Sequence, residues 1–177
     1  MLQETISAFS ATPWCAALIT SPDWVPVNTI SRVPKPTTED SFFAETLRTP
    51  RTVRNCLTLR PSEELDDGVF GDMVFGEVAM LIELGDGVNG HPKMAHGGFA
   101  ATMLDEVMGA LITLNIEAMG KRKERLGKLG PREPTTCFTV CEYLGVGRSP
   151  PPPSLPVSGV IGNALSRLKR CITLTWG

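Results

Sequence analysis

The chain has 177 residues, enough for one domain with a substantial core and too few to favour two. It is 42% hydrophobic and 20% charged, the balance of an ordinary soluble globular protein, and its formal charge of −2 gives no electrostatic reason to expect nucleic acid or an anionic membrane as partner. No apolar run approaches the roughly 18 residues of a spanning helix, and the N-terminus carries Glu4 without the basic-then-apolar pattern of a secretory signal.

Residues 7–19, "SAFSATPWCAALI", predict a short amphipathic helical region interrupted or restarted at Pro13. Residues 21–40 hold Pro22, Pro26, Pro34 and Pro36 and predict an extended connection. "SFFAETL" at 41–47 predicts a short helix capped by Asp40 or Ser41, with Glu45 in its first turn. "TVRNCLTLR" at 52–60 alternates as a half-buried strand does. A second strand is expected within 72–85. There Val78, Met80, Ile82 and Leu84 share one apolar face. Glu77, Ala79, Leu81 and Glu83 share the other, apolar in the middle and charged at both ends, which predicts a partly covered face.

Residues 85–98, "GDGVNGHPKMAHGG", read as a glycine-rich loop. From Gly98 the period becomes helical: Phe99, Met103, Val107, Leu111 and Leu114 form one stripe, and Ala100, Leu104, Met108 and Ile112 fill the next. A helix running to about Ala118 or Gly120 and apolar over most of its circumference is expected to be enclosed. Residues 121–134 read as a charged loop and "TTCFTV" at 135–140 as a strand. Four consecutive prolines in 147–156 favour an extended segment, 166–176 carry a weak strand signal, and no internal repeat is present. The cysteines Cys15, Cys56, Cys137, Cys141 and Cys171 are odd in number and scattered. Their spacings fit neither a redox motif nor a metal site, and His91 and His96 are far from the close pair. Reduced, mostly buried thiols, no metal and a cytosolic setting follow as expectations.

The stretch that carries chemistry is "AHGGFAATMLDE" at 95–106. Gly97 and Gly98 precede a helix, so a ligand can approach the backbone closely. The first helical turn offers unpaired N–H groups and a partial positive charge. Asp105 lies about two turns on, roughly 10–12 Å from Gly98 along the axis. Aspartate is a poor mid-helix residue and costly to bury alone, so Asp105 or Glu106 must reach water, a partner group or a neighbouring subunit. An N–H that polarises a carbonyl and a carboxylate that attacks it or activates water are the minimum parts of acyl-transfer hydrolysis. The structural alternative is that the glycines only turn the chain and the carboxylates surface on one helix edge.

"HGGFAATMLDEVMG" at 96–109 resembles the signature of hotdog-fold acyl-CoA thioesterases. "PWCAAL", "SFFAETLRTPRT" and "LGDGVNGHPKMAHGG" are similar to fungal members of that superfamily, and the resemblance extends over 13–140. It implies an α+β hotdog fold, a long central helix wrapped by an antiparallel sheet. The expected layout is an N-terminal segment, 1–50, packed on a core at 51–140, followed by a divergent Pro-rich tail at 141–177. It further implies a cytoplasmic homodimer or homotetramer that hydrolyses acyl-CoA or carrier-bound acyl thioesters, in housekeeping or secondary metabolism, without cofactor, nucleic acid or membrane. By resemblance Asp105 is the general base or nucleophile, with Glu106 as the fallback carboxylate. Gly97 supplies the N–H that polarises the carbonyl, His96 orients the loop or contacts the thioester, and Gly98 lies against the substrate. Asn89 is the polar partner of the attacking water. Lys121 and Lys123, with Arg122, Arg125 and Lys128, would meet the phosphates of coenzyme A, against the alternative of a solvated loop. Trp14 and Trp24 read as core or interface anchors.

Members of the family continue into further strands, typically through a motif like "RPVPTP", where this chain has 147–156. Codons for Gly147 to Pro152 can be written so that a shift of two nucleotides spells Pro-Val-Pro-Thr-Pro. The tail from about Cys141 therefore reads as a shifted-frame or mis-spliced version of those strands, and the sheet is expected to be incomplete at its C-terminus. A non-catalytic acyl-binding or partner module and an inactive truncated product stay open as alternatives.

Overall fold

The computed structural model describes residues 2–66 and 73–125, together with the backbone of residues 172–176. Expectations for 126–171, including the strand at 135–140, the proline run and the proposed frame shift, lie outside the described residues.

Two short helices open the chain, α1 (Leu2–Ser10) and α2 (Pro13–Ile19). Pro13 occupies the first turn of α2, where its missing N–H has no intrahelical partner to lose. Trp24–Val27 then form strand β1, although the prolines there predict a connection. The reason is position: β1 lies at the edge of the sheet, where Pro26 removes no ladder bond from a second neighbour. A 3-10 turn (Ile30–Arg32) and a π turn (Phe42–Thr46) follow. The latter sits where a short helix is expected, but neither Asp40 nor Ser41 caps it. Ser41 makes no side-chain cap bond, and the Asp40 carboxylate accepts instead from Lys35.

Strand β2 (Val53–Pro61) pairs antiparallel with both β1 and β3 (Ala79–Leu84). Strand β6 (Ile172–Trp176) adds to the far side of β3 in parallel, so the order is β1-β2-β3-β6. The expected alternation of β3 is present. Val78, Met80, Ile82 and Leu84 pack with Phe43, Leu47, Val53, Met103 and Val107 on one side of the sheet. Ala79 and Leu81 pack on the other with Leu57, Leu59 and the helix residues Phe9, Cys15 and Ile19. The second face is thus covered by α1 and α2, with Trp14 and Trp24 partly buried at its margin. Each fully buried aliphatic chain of this kind contributes on the order of 1.5–3 kcal/mol. The strand begins later than the sequence suggests because the preceding backbone bonds elsewhere. The N–H groups of Val74 and Phe75 donate to the buried Asn115 Oδ1 at 2.7 and 2.9 Å, and Asn115 Nδ2 donates back to the Phe75 carbonyl at 3.0 Å.

The segment at 85–98, expected as a loop, contains a 3-10 turn (Asp86–Val88) and a small antiparallel ribbon of β4 (Asn89–His91) and β5 (Met94–Ala95). It leads into α3 (Gly97–Arg125), which runs past the predicted end. Lys121, Arg122, Lys123 and Arg125 are therefore helical rather than in a loop. Basic residues in a last turn also suit the negative end of the helix dipole. Arg122 Nη2 donates to Glu64 Oε2 and to the Leu65 carbonyl, at 3.1 and 2.8 Å, fastening this end beside β2.

Only a stripe of α3 is buried among the described residues: Ala100, Met103, Val107 and Asn115. The expectation of an enclosed helix is not met there, and Ile116 is 48% exposed. The helix is also long and apolar enough, by length and composition, to cross a membrane, a test that the core helix of a soluble protein passes as well. The architecture is α+β: an antiparallel core sheet, one long helix on one face and two short helices on the other.

Candidate functional site

The ribbon β4–β5 determines where the histidine lies. Asn89 pairs with Ala95, which places His96 at the ribbon's exit and at the N-cap of α3. Its N–H donates to the Val88 carbonyl at 2.8 Å, and its carbonyl accepts the first helical bond from Ala100 at 3.0 Å. The ring turns back on the helix, where Nδ1 accepts the Gly98 N–H at 3.0 Å. An accepting Nδ1 leaves Nε2 as the protonated nitrogen of the neutral ring.

Two glycines make room for this ring. A Cβ on Gly98 would lie 3.1 Å from His96 Nδ1, and one on Gly90 would lie 3.0 Å from His96 Cα and 3.3 Å from Cδ2. Gly97 differs: a Cβ there would meet nothing within 4 Å. The first turn of a helix has donors without intrahelical acceptors. Here the N–H groups of His96 and Gly98 are paired, whereas no partner accepts the Gly97 N–H among the described residues. That N–H lies at the positive end of a 29-residue helix. Close by, Asn89 Oδ1 is buried and lacks a hydrogen-bond partner among the described residues. Such an acceptor ordinarily costs about 1–3 kcal/mol. The fold thus brings together His96, Gly97, Gly98 and Asn89.

The carboxylates lie elsewhere. Asp105 is eight residues beyond Gly97, about 12 Å along the axis. With Glu106 it borders an open cleft of about 340 Å³ between α3 and the Ile30–Arg32 turn. The two neighbours differ in setting. Asp105 is exposed, whereas Glu106 is half-buried against that turn. Burial pushes the Glu106 carboxyl above its ordinary 4.5. The charges of Asp40 and Asp105 push the same way, against a hydrogen bond from Ser31 and the charge of Arg32. Lys35 also lines the cleft, held by Asp40 and, at 3.2 Å, by Glu39. Met108, Ile112 and Leu114 of α3 belong to its apolar lining on that helix.

Lys121 borders a second open cleft of about 350 Å³ with Arg60, Phe75 and Arg125, and Lys123 does not. Residues two apart on a helix do not share a face. Arg60 lies over the Phe75 ring, 5.4 Å from its centre. Arg122 and Arg125 are engaged by Glu64. Burial raises the Glu64 carboxyl, but their hydrogen bonds and charges together hold it below the usual carboxylate range.

Cys15 and Cys56 are buried free thiols, pushed up by burial to about 11 and about 12, so both are protonated and unreactive at neutral pH. Among the described residues no group of three His, Cys, Asp or Glu side chains is placed to hold a metal ion. Sequence reasoning missed Gly90, whose need for a bare backbone appears only once His96 folds over it. It also missed Ser31, which reaches Glu106 across 75 residues of chain.

A stretch of 75 residues is 31% identical to verlamelin biosynthesis protein B of a Lecanicillium species, covering 42% of this chain. The match takes in 32% of that protein, so it spans about a third of the length of this curated relative. No family model matches the chain, and no solved structure matches it.

Proposed function

We propose that the protein is a hotdog-fold thioester hydrolase that cleaves acyl-CoA or carrier-bound acyl thioesters and works as a homodimer. The observation that carries this reading is the start of α3. There the Gly97 N–H has no acceptor among the described residues, beside a histidine whose ring accepts the Gly98 N–H, on the helix that also bears Asp105 and Glu106 in a cleft. The α+β architecture, with a long helix against an antiparallel sheet, is compatible with a hotdog fold.

In this mechanism the Gly97 N–H polarises the thioester carbonyl and stabilises the oxyanion as it forms. Asp105 either attacks the carbonyl carbon, the thiolate leaving and water then hydrolysing the acyl-aspartyl anhydride, or takes the proton of a water that attacks the carbonyl carbon as the thiolate leaves. Donor and base must each lie within about 3–3.5 Å of the atoms they act on. The spacing of about 12 Å along one helix is too long for that. Each site therefore combines Gly97 of one chain with Asp105 of the partner subunit. The same gap favours a second reading, a non-catalytic acyl-binding module, if the chain stays monomeric.

The test is release of free thiol from a panel of acyl-CoAs by the purified chain and by its Asp105→Ala variant. Turnover is expected from the parent and a loss of at least about a hundredfold from the variant. Equal rates would remove Asp105 from the mechanism, and saturable acyl-CoA binding without turnover would favour the binding module.

A further inference from the structure

We propose that Gly109 sets the length of acyl group that the α3 cleft accepts, by leaving the cleft open one turn beyond the carboxylates. The inference rests on the thioesterase reading and adds a specificity-determining residue to it.

A glycine inside a helix is unfavourable relative to alanine, so its presence asks for a reason. The usual reason is a close neighbour that a Cβ would strike. Gly109 has none, because a Cβ there would meet nothing within 4 Å. What lies in front of it is the cleft. Gly109 follows Asp105 by four residues and Glu106 by three, so it occupies the same face of α3 one turn further on. Thr113 continues that face, and Met108, Ile112 and Leu114 border the same space, with Ile30 from the opposite wall. A substrate whose carbonyl lies at the carboxylates would extend its tail along this stretch of the cleft. Gly109 is about 6 Å from Asp105 along the axis, the reach of a few methylenes. The space a side chain at 109 would fill is therefore the space a longer hydrocarbon tail needs.

Gly120 provides the control within the same helix. A Cβ there also meets nothing within 4 Å, but Gly120 borders neither of the two α3 clefts. A leucine at either position improves helix propensity similarly, and only one of them fills the cleft.

The experiment uses the full chain as parent, Gly109→Leu, Gly109→Ala and Gly120→Leu. It measures kcat/KM for acetyl-, hexanoyl- and dodecanoyl-CoA and binding of the non-hydrolysable thioether analogue of dodecanoyl-CoA. Gly109→Leu is expected to lower the dodecanoyl-to-acetyl ratio by about tenfold or more. Gly109→Ala should shift it less in the same direction, and Gly120→Leu should leave it unchanged. If the leucine variant does not fold, the alanine variant decides. An unchanged ratio in a parent that turns over thioesters overturns the inference and leaves the hydrolase reading standing. No turnover by the parent, with thioether binding weakened by Gly109→Leu alone, overturns the hydrolase reading and upholds Gly109 as the length determinant. No thioether binding, or equal binding by all four proteins, overturns the role of Gly109.

Discussion

Replacing Gly97 by proline removes the N–H that the proposed mechanism uses. Gly97 is the first residue of α3, the position where proline is best tolerated because its N–H has no intrahelical acceptor. No internal hydrogen bond is lost, since none is made by that N–H among the described residues, and no heavy atom stands within 4 Å of a Cβ there. A residue before proline avoids helical backbone, which is the ordinary condition of an N-cap such as His96. Stability should therefore change by less than about 1 kcal/mol, a few degrees in Tm. If the N–H polarises the thioester carbonyl, its removal should lower kcat by about 10²–10³, or roughly 3–4 kcal/mol. Gly97→Ala keeps the N–H, places a methyl in open space and restricts the unfolded chain, so it should gain about 0.4–1 kcal/mol and retain turnover within a few-fold. Thiol release and thermal melting on the two variants make the comparison. Proline retaining near-parental turnover would refute the oxyanion role. Equal losses in both variants would point to crowding of the site instead and would refute it too.

Two further outcomes are expected. The raised carboxyl of Glu106 means the folded state keeps its proton where the unfolded chain has lost it. Its unfavourable contribution is therefore absent below 4.5 and grows as pH rises through the window between 4.5 and the raised value. Glu106→Gln should match the parent in stability at acid pH and exceed it at neutral pH, and parallel curves by denaturant titration would contradict the sign. Asn115→Ala would leave the Val74 and Phe75 N–H groups and the Phe75 carbonyl without their partner. A loss of at least about 2 kcal/mol in urea unfolding, with an unchanged slope, is expected; a loss below about 0.5 kcal/mol would mean that the segment before β3 is held by something else.

What the sequence made legible was local periodicity. The alternation Val78, Met80, Ile82, Leu84 identified the α3 side of β3, and its complement anticipated the patch that α1 and α2 cover. The helix stripe of Phe99, Met103 and Val107 was readable for the same reason. Features that depend on distant partners were not. β1 is a strand because β2 offers an edge, and nothing within "WVPV" announces that. The ribbon of β4 and β5 is too short to show a period. The end of α3 was placed early because Lys121–Arg125 look like a solvated run, and what holds Arg122 and Arg125 is Glu64, some sixty residues away. The contrast between Asp105 and Glu106 was invisible for a geometric reason. Adjacent helical residues differ by about 100° in direction, and only the Ile30–Arg32 turn decides which of them is covered.

The separation of donor and carboxylate constrains the proposed chemistry more tightly than the motif does. For Gly97 and Asp105 of one chain to meet a single carbonyl, α3 would have to break between them. Ala100 and Met103 lie in that interval and are buried, Met103 completely, in the layer that packs on β3. Breaking the helix would expose Met103, at a cost of about 2 kcal/mol, and would also sever backbone hydrogen bonds. A second copy requires no such rupture. If its α3 runs antiparallel to the first, the start of each helix lies beside the carboxylate turn of the other, with the exposed Ala101 between the two. On the proposed reading, self-association is therefore part of catalysis, and a chain held monomeric should bind an acyl group without cleaving it.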